Sequence, residues 1–328
     1  MRGDGGVKGT LYLPGPCVED ACPARTGHGY DPQMAERTLV DGPGGRRLEV
    51  EVDGPRDGLL LVSHTGTPSG GRLYEPRVRA GAVRGIRHAI YSRPGYSGSE
   101  RLEGRTVADC VGDVAAIADA LGAGEILIEG GSGGGPHALA CAALLPEHVL
   151  AAASVAGVAP HDAEGLDWMA GMGQENLDEF GAAEAGGQEL ASYLEAEASE
   201  MLGATGPQLH EALGDLLSDV DAKALSGDYA QWLAGSVDAG LAPGIWGWFD
   251  DDLAFVKDWG FELGSIERPV TIWHGAQDRF VPFTHGEWLA AHVPGATAKL
   301  REEHGHLSLL LSSYEEILDD LLAAAGRV

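Results

Sequence analysis

Short apolar runs, each closing on a cluster of glycine, proline or polar residues, dictate how this chain can be layered. Leu59–Ser63, His88–Ser92, Ile126–Glu129, Ala151–Val158 and Val270–Trp273 are too brief for buried helices and carry apolar side chains at consecutive positions. A strand covered on both faces reads that way, whereas a strand wetted on one face alternates. Arg46–Asp53 does alternate, like an exposed strand, and Ala298–Arg301 is a further short one. Helical patterns lie at Val107–Leu121, Gly134–Leu145 and His285–His292, and Leu307–Ala325 carries its apolar residues at helical spacing. Parallel strands need crossovers of helical length. The expected fold is therefore α/β, a mostly parallel central sheet with helices on both faces.

Such sheets hold their ligand sites at the carboxyl ends of the strands, and the polar signatures of this chain fall there. Leu59–Ser63 runs into His64-Thr65-Gly66-Thr67-Pro68, and His88–Ser92 into Arg93-Pro94-Gly95-Tyr96-Ser97-Gly98-Ser99. Val270–Trp273 runs into His274-Gly275-Ala276-Gln277-Asp278, and His304-Gly305-His306 follows the last short strand. Ile126–Glu129 enters Gly130-Gly131-Ser132-Gly133-Gly134 and passes directly into a helix. A serine on so sharp a strand-to-helix turn has its hydroxyl exposed, and the glycines on either side relieve the crowding. In a chain with 50 glycines among 328 residues, Gly-x-Ser-x-Gly alone could be a glycine-rich turn. Its place between strand and helix is what gives it weight.

A serine hydroxyl needs a base to take its proton as it attacks. Imidazole suits that task, and a carboxylate orients the imidazole and stabilises its charged form. The chain offers Ser132, Asp278 and His306 in that order. Asp278 could equally cap the following helix, and His304 competes with His306. The motifs HTGTP, RPGYSGS, GGSGG, HGAQD and GHLS, taken together, resemble those of the α/β-hydrolase superfamily over residues 37–328. The resemblance implies Ser132 as nucleophile, His306 as base and Asp278 as its partner. An oxyanion hole needs two backbone N–H donors. Gly133, which follows the nucleophile at a helix N-terminus, supplies one, and the resemblance assigns the other to Thr67. Here the sequence departs from the family's His-Gly-x-Pro loop by one extra residue between His and Gly.

Charge divides the chain. The formal charge is −28, and residues 161–262 hold 22 Asp and Glu against two Lys. That segment is expected to be a helical insertion, with stretches such as Glu189–Leu202 and Gln208–Leu225, and the resemblance makes it a lid over the nucleophile. Residues 37–160 and 263–328 would form the core around it. Residues 1–36, rich in Gly and Pro, read as a disordered extension or as sequence ahead of a start at Met34. The carboxylates of the insertion form a solvated outer face, or some turn inward to hold a cationic group. Its five tryptophans pack within it or touch substrate; Trp246, Trp248 and Asp251 are the candidate substrate contacts.

So acidic a chain repels nucleic acid and anionic membranes. No apolar run approaches the roughly 20 residues of a membrane span, and no secretory leader is visible, so a cytoplasmic location is expected. Cys110 and Cys141 read as buried thiols, not as a disulfide framework. A zinc site at Cys17, Cys22 and His28 is conceivable on spacing, but no metal and no cofactor are expected. The partner is a small molecule, and oligomeric state leaves no trace in the sequence.

The expected function is a serine hydrolase acting through an acyl-enzyme on a small or medium carboxylic ester. One alternative is an exopeptidase resembling proline iminopeptidases, whose lid carboxylates hold the substrate's amino terminus. Against it, Gly133 stands where that family has a bulky residue. The other alternative is a protein of the same fold that binds a ligand without hydrolysing it.

Overall fold

The computed structural model describes residues 35–327. Of the expected N-terminal extension, residues 1–34 lie outside the described ones, together with Cys17, Cys22 and His28. Glu36 already belongs to a strand.

One eight-stranded sheet organises the molecule. Its strands are β1 (Glu36–Asp41), β2 (Arg47–Asp53), β3 (Leu59–His64), β4 (Ile86–Tyr91), β5 (Ile126–Gly131), β6 (Val149–Val155), β7 (Val270–Gly275) and β8 (Thr297–Arg301). Their order is β1-β2-β4-β3-β5-β6-β7-β8. The β1–β2 and β2–β4 pairs are antiparallel and all others are parallel. The consecutive aliphatic residues of β3 and β5 are split between two cores, as the period of two along a strand requires. Leu60, Val62, Ile126 and Ile128 join one core, and Leu61 and Leu127 join the other.

The first core is closed by α2 (Cys110–Ala120), α3 (Gly135–Leu144) and α10 (Phe283–His292). The second is closed by α1 (Glu75–Ala82), α11 (His306–Ser312) and α12 (Tyr314–Ala324). Each fully buried Leu or Ile on these faces is worth roughly 1.5–3 kcal/mol of burial. That gain sets the strand register more firmly than local propensity does.

Four expectations need correction. Arg46–Asp53 is not an exposed strand. Leu48, Val50 and Val52 are buried in the first core against the helix at Cys110–Ala120, and β1, which the sequence reading missed, pairs along the strand's outer edge. The helical pattern at Gln208–Leu225 is broken into α6 (Gly206–Ala212) and α7 (Asp219–Ala224), with Gly214 at φ 42° between them. Leu307–Ala325 likewise divides at Ser313 into α11 and α12. Val107–Leu121 opens with a 3₁₀ turn before α2 begins.

Between β6 and β7 the chain leaves the sheet to build α4 (Gln174–Ala185), α5 (Gly187–Met201), α6, α7, α8 (Gly227–Leu241) and α9 (Trp246–Phe255). Helices α4, α5, α8 and α9 share an apolar cluster of their own, which includes Leu190, Leu194, Val237 and Trp248. Most of the acidic residues in this insertion point into solvent, while Asp221, Asp250, Asp251 and Asp252 are buried. Among the described residues no helix is long and apolar enough to cross a membrane.

Candidate functional site

Five loops converge at the carboxyl ends of the parallel strands, beneath the inserted helices. Ser132 follows β5 directly and holds φ 55°, a left-handed conformation unusual for a residue with a side chain. The flanking glycines are required by contact. A Cβ on Gly130 would stand 2.0 Å from the Gly134 carbonyl oxygen, and one on Gly134 would stand 2.3 Å from the His64 carbonyl oxygen. The Gly-x-Ser-x-Gly spacing is thus a packing condition of the turn.

His306 is the first residue of α11, and its Nδ1 lies 2.7 Å from Asp278 Oδ2. The other Asp278 oxygen accepts the backbone N–H groups of Phe280 and Val281, each at 2.9 Å. That fixes the carboxylate and leaves Oδ2 to the imidazole. Phe280 stacks on His306 with ring centroids 4.6 Å apart. His306 and Ser132 line one cavity, whereas His304 sits beside Glu303 near the surface. Burial pulls the His306 imidazole down, but the charge and hydrogen bond of Asp278, with Asp221 adding, raise its pKa above the ordinary value.

Asp221 is a functional residue that sequence reasoning missed. It is fully buried on α7, and its carboxylate accepts the backbone N–H groups of His306 at 2.9 Å and Ser308 at 2.8 Å. It therefore closes the free N-terminus of the helix that carries His306. Gly305 makes the approach possible, because a Cβ there would lie 2.2 Å from Asp221 Oδ2. Gly305 N–H in turn donates to Ser308 Oγ at 2.8 Å, so each residue of the Gly-His-Leu-Ser motif except Leu307 has a stated contact. Leu307 lines the cavity.

The loop after β3 reaches the same place. A Cβ on Gly133 would meet Thr67 Oγ1 at 2.5 Å, so the two candidate oxyanion residues are neighbours beside Ser132. Thr67 Oγ1 donates to Asp251 at 2.8 Å and accepts from Arg93 at 3.1 Å. Asp251 also receives hydrogen bonds from Arg93 Nη2 at 2.5 Å and Tyr96 Oη at 2.8 Å, and forms an ion pair with Arg105 Nη1 at 2.8 Å. Burial works against ionising Asp251, yet the two guanidinium groups hold its carboxyl far below the usual range.

This corrects two expected substrate contacts. Asp251 is fully buried and consumed by protein donors, and its place is behind the Thr67 loop. Trp246 is 42% exposed, with Arg101 stacked 4.4 Å over its ring, and lines neither lobe of the cavity. Trp248 does line the cavity, and its Nε1 donates to Glu179 at 2.7 Å.

The cavity has two lobes meeting at Ser132, Thr67 and Phe280. The main lobe is walled largely by apolar side chains, including Leu209, Leu233, Val237 and Leu307. The second lobe lies beside Gly133 and contains Glu179 of α4 and Asp252 of α9. Burial raises the pKa of both carboxyls, and the neighbouring charge of Glu179 raises that of Asp252 further. Neither Asp252 oxygen has a protein N–H or O–H donor among the described residues.

One group of potential metal donors comes together among the described residues: His64, Cys110 and Cys141. Cys141 Sγ lies 3.7 Å from His64 Nε2 and 4.0 Å from Cys110 Sγ. Burial raises the Cys110 thiol and lowers the His64 imidazole. His64 Nδ1 meets Tyr91 Oη at 3.3 Å. His274 bonds backbone, through Val281 O at 2.8 Å.

A family model for the α/β hydrolase fold matches residues 60–313. A curated relative, the non-heme chloroperoxidase of Streptomyces lividans, is 28% identical over 276 residues, covering 82% of this chain and 92% of that protein. Among solved structures, an α/β hydrolase fold protein from Nakamurella multipartita is 25% identical with a TM-score of 0.59, covering 89% of this chain and all 100% of that one. A hydrolase from Pseudomonas aeruginosa PA01 matches with a TM-score of 0.65 at 18% identity, over 90% of this chain and 100% of that one, a likeness of fold.

Proposed function

The chain belongs to the α/β-hydrolase fold family, and we propose that it is a serine hydrolase working through an acyl-enzyme, with a small or medium carboxylic ester as substrate. Ser132 attacks the carbonyl while His306 takes its proton and later returns it to the leaving group. Asp278 holds the imidazole, and the backbone N–H groups of Gly133 and Thr67 receive the oxyanion. The observation that carries this reading is the strained Ser132 turn opening onto the same cavity as His306, itself bonded to Asp278 at 2.7 Å. The apolar wall of the main lobe supports an ester with an apolar acyl part.

Ser132→Ala is expected to lower p-nitrophenyl butyrate turnover to background and to abolish fluorophosphonate labelling, with an unchanged circular dichroism spectrum. Turnover at the wild-type rate in that variant sinks the mechanism.

The Glu179–Asp252 pair supports a second reading, an exopeptidase whose substrate places its ammonium group in the second lobe. Comparing proline p-nitroanilide with acetyl and butyryl esters separates the two. Preferential cleavage of the anilide, lost on Asp252→Asn, selects the peptidase.

A further inference from the structure

Glu129 is a buried carboxylate that the proposed chemistry leaves unused. It lies three residues before Ser132, on a strand otherwise built from Ile126, Leu127 and Ile128, and is only 7% exposed. Its register partner on β3 is Ser63, so the two side chains share a sheet face. Ser63 Oγ donates to Glu129 Oε1 at 2.8 Å, and Tyr314 Oη donates to the same oxygen at 3.2 Å. Glu129 Oε2 receives no protein donor among the described residues. A carboxylate accepts through both oxygens, so half of this one is unused.

The main lobe reaches this group. Its lining includes Ser132, Gly131, Glu129, Tyr314 and Arg77. Leu310 packs where a Gly131 side chain would stand, 2.8 Å from the position of its Cβ. Arg77 sits 4.5 Å over the Tyr314 ring and donates through Nη2 to Leu310 O at 2.6 Å. Its Nε is buried without a partner, and no ion pair joins it to Glu129 among the described residues. The far end of the lobe thus presents one free acceptor, Glu129 Oε2, with the Arg77 guanidinium on the other side of Tyr314.

We infer that this end of the main lobe is a subsite for a hydroxyl group carried at the far end of the substrate's acyl chain. A hydroxyl donates to Glu129 Oε2. An ammonium would be opposed by the Arg77 charge and a carboxylate by Glu129, while a methyl group would leave Oε2 unpaired. Three residue steps separate Ser132 from Glu129, roughly 10 Å, which an acyl chain of about eight atoms spans. The subsite rests on the serine-hydrolase reading and narrows its substrate to esters of ω-hydroxyacyl groups.

The test compares p-nitrophenyl esters of octanoic, 8-hydroxyoctanoic, 8-methoxyoctanoic, 8-aminooctanoic and octanedioic acids, with butyrate as a chain too short to reach Glu129. The wild-type enzyme is expected to favour the hydroxy ester over each other eight-carbon ester by tenfold or more in kcat/KM. A methoxy group accepts but cannot donate, so Glu129→Gln, which turns an amide N–H₂ into the lobe, is expected to bring the hydroxy-to-methoxy ratio to near one. Butyrate cleavage with no hydroxyl preference, or a preference for the amino or carboxy ester, overturns the subsite alone. Failure to cleave any ester, butyrate included, overturns the hydrolase reading beneath it. The wild-type ratios decide the matter even where Glu129→Gln does not fold.

Discussion

Ser132 is one of three non-glycine residues held at positive φ among the described residues, with Ser97 and Ala156. Such a conformation costs about 1–3 kcal/mol and persists only where the surroundings over-determine it. Here the surroundings are the backbone contacts at Gly130 and Gly134, so the strain and the glycines are one requirement. His306 gives the residue scale its measurable consequence. A raised pKa means that the imidazole protonates at a higher pH than an ordinary histidine and then cannot accept the serine proton. For a neutral ester, kcat/KM is expected to decline on acidification with a midpoint above the ordinary histidine value of about 6.5. Asp278→Asn removes the charge that contributes most to raising it, so the midpoint moves to lower pH and kcat falls by roughly 10³–10⁴-fold. A profile flat from pH 5 to 8 contradicts a histidine base. Ser132, Asp278 and His306 were legible because each closes a strand with a motif of fixed spacing. Asp221 was not, because a lone aspartate in an acidic helix carries no mark of the backbone it will meet 85 positions later.

Two elements of the insertion are tied to the loops beneath them. Helix α7 reaches α11 through Asp221, and α9 reaches the Thr67 loop through Asp251 and Arg93. The N-terminal dipole of α11 disfavours a positive charge on its first residue. Asp221 offsets that dipole while also fixing the backbone of His306. Asp221→Ala is expected to lower stability by about 0.5–2 kcal/mol, as the loss of a helix cap does. The same variant lowers kcat by roughly 10²-fold through displacement of the imidazole, with KM little changed. A loss of stability without a loss of kcat would mean that the contact is structural only. Periodicity revealed the internal strands and the helices that cover them, since burial on two faces leaves consecutive aliphatic residues. It missed β1, which is mostly exposed and has one buried residue, Val40. It also ran helices through Gly214 and Ser313, where the apolar spacing continues across a break in the backbone.

At the scale of the whole molecule, the sheet fixes the reacting groups and the insertion shapes what can reach them. The sequence reading separated these parts by charge, and the choice between solvated and inward carboxylates proves to be both. Asp162, Glu184, Glu195 and Glu211 face water, while Glu179 and Asp252 line the second lobe. Which carboxylates turn inward depends on how six helices pack, and an isolated helical repeat does not encode that. The outward ones have an effect of their own. Residues 161–262 carry a net −20 and help to wall the cavity, where a field of one sign acts on a charged molecule before any contact forms. Arrival, and not only fit, is therefore selective. Raising ionic strength from about 0.01 to 0.15 M shortens the Debye length from about 30 to 8 Å. Over that range kcat/KM for an anionic ester is expected to rise several-fold, that for a cationic ester to fall, and that for a neutral ester to stay level. Equal salt responses for all three would assign the acidity to solubility alone. Otherwise the outer face of the insertion is a toll on anions, levied in the solvent, and the enzyme's apparent specificity will depend on the salt in which it is measured.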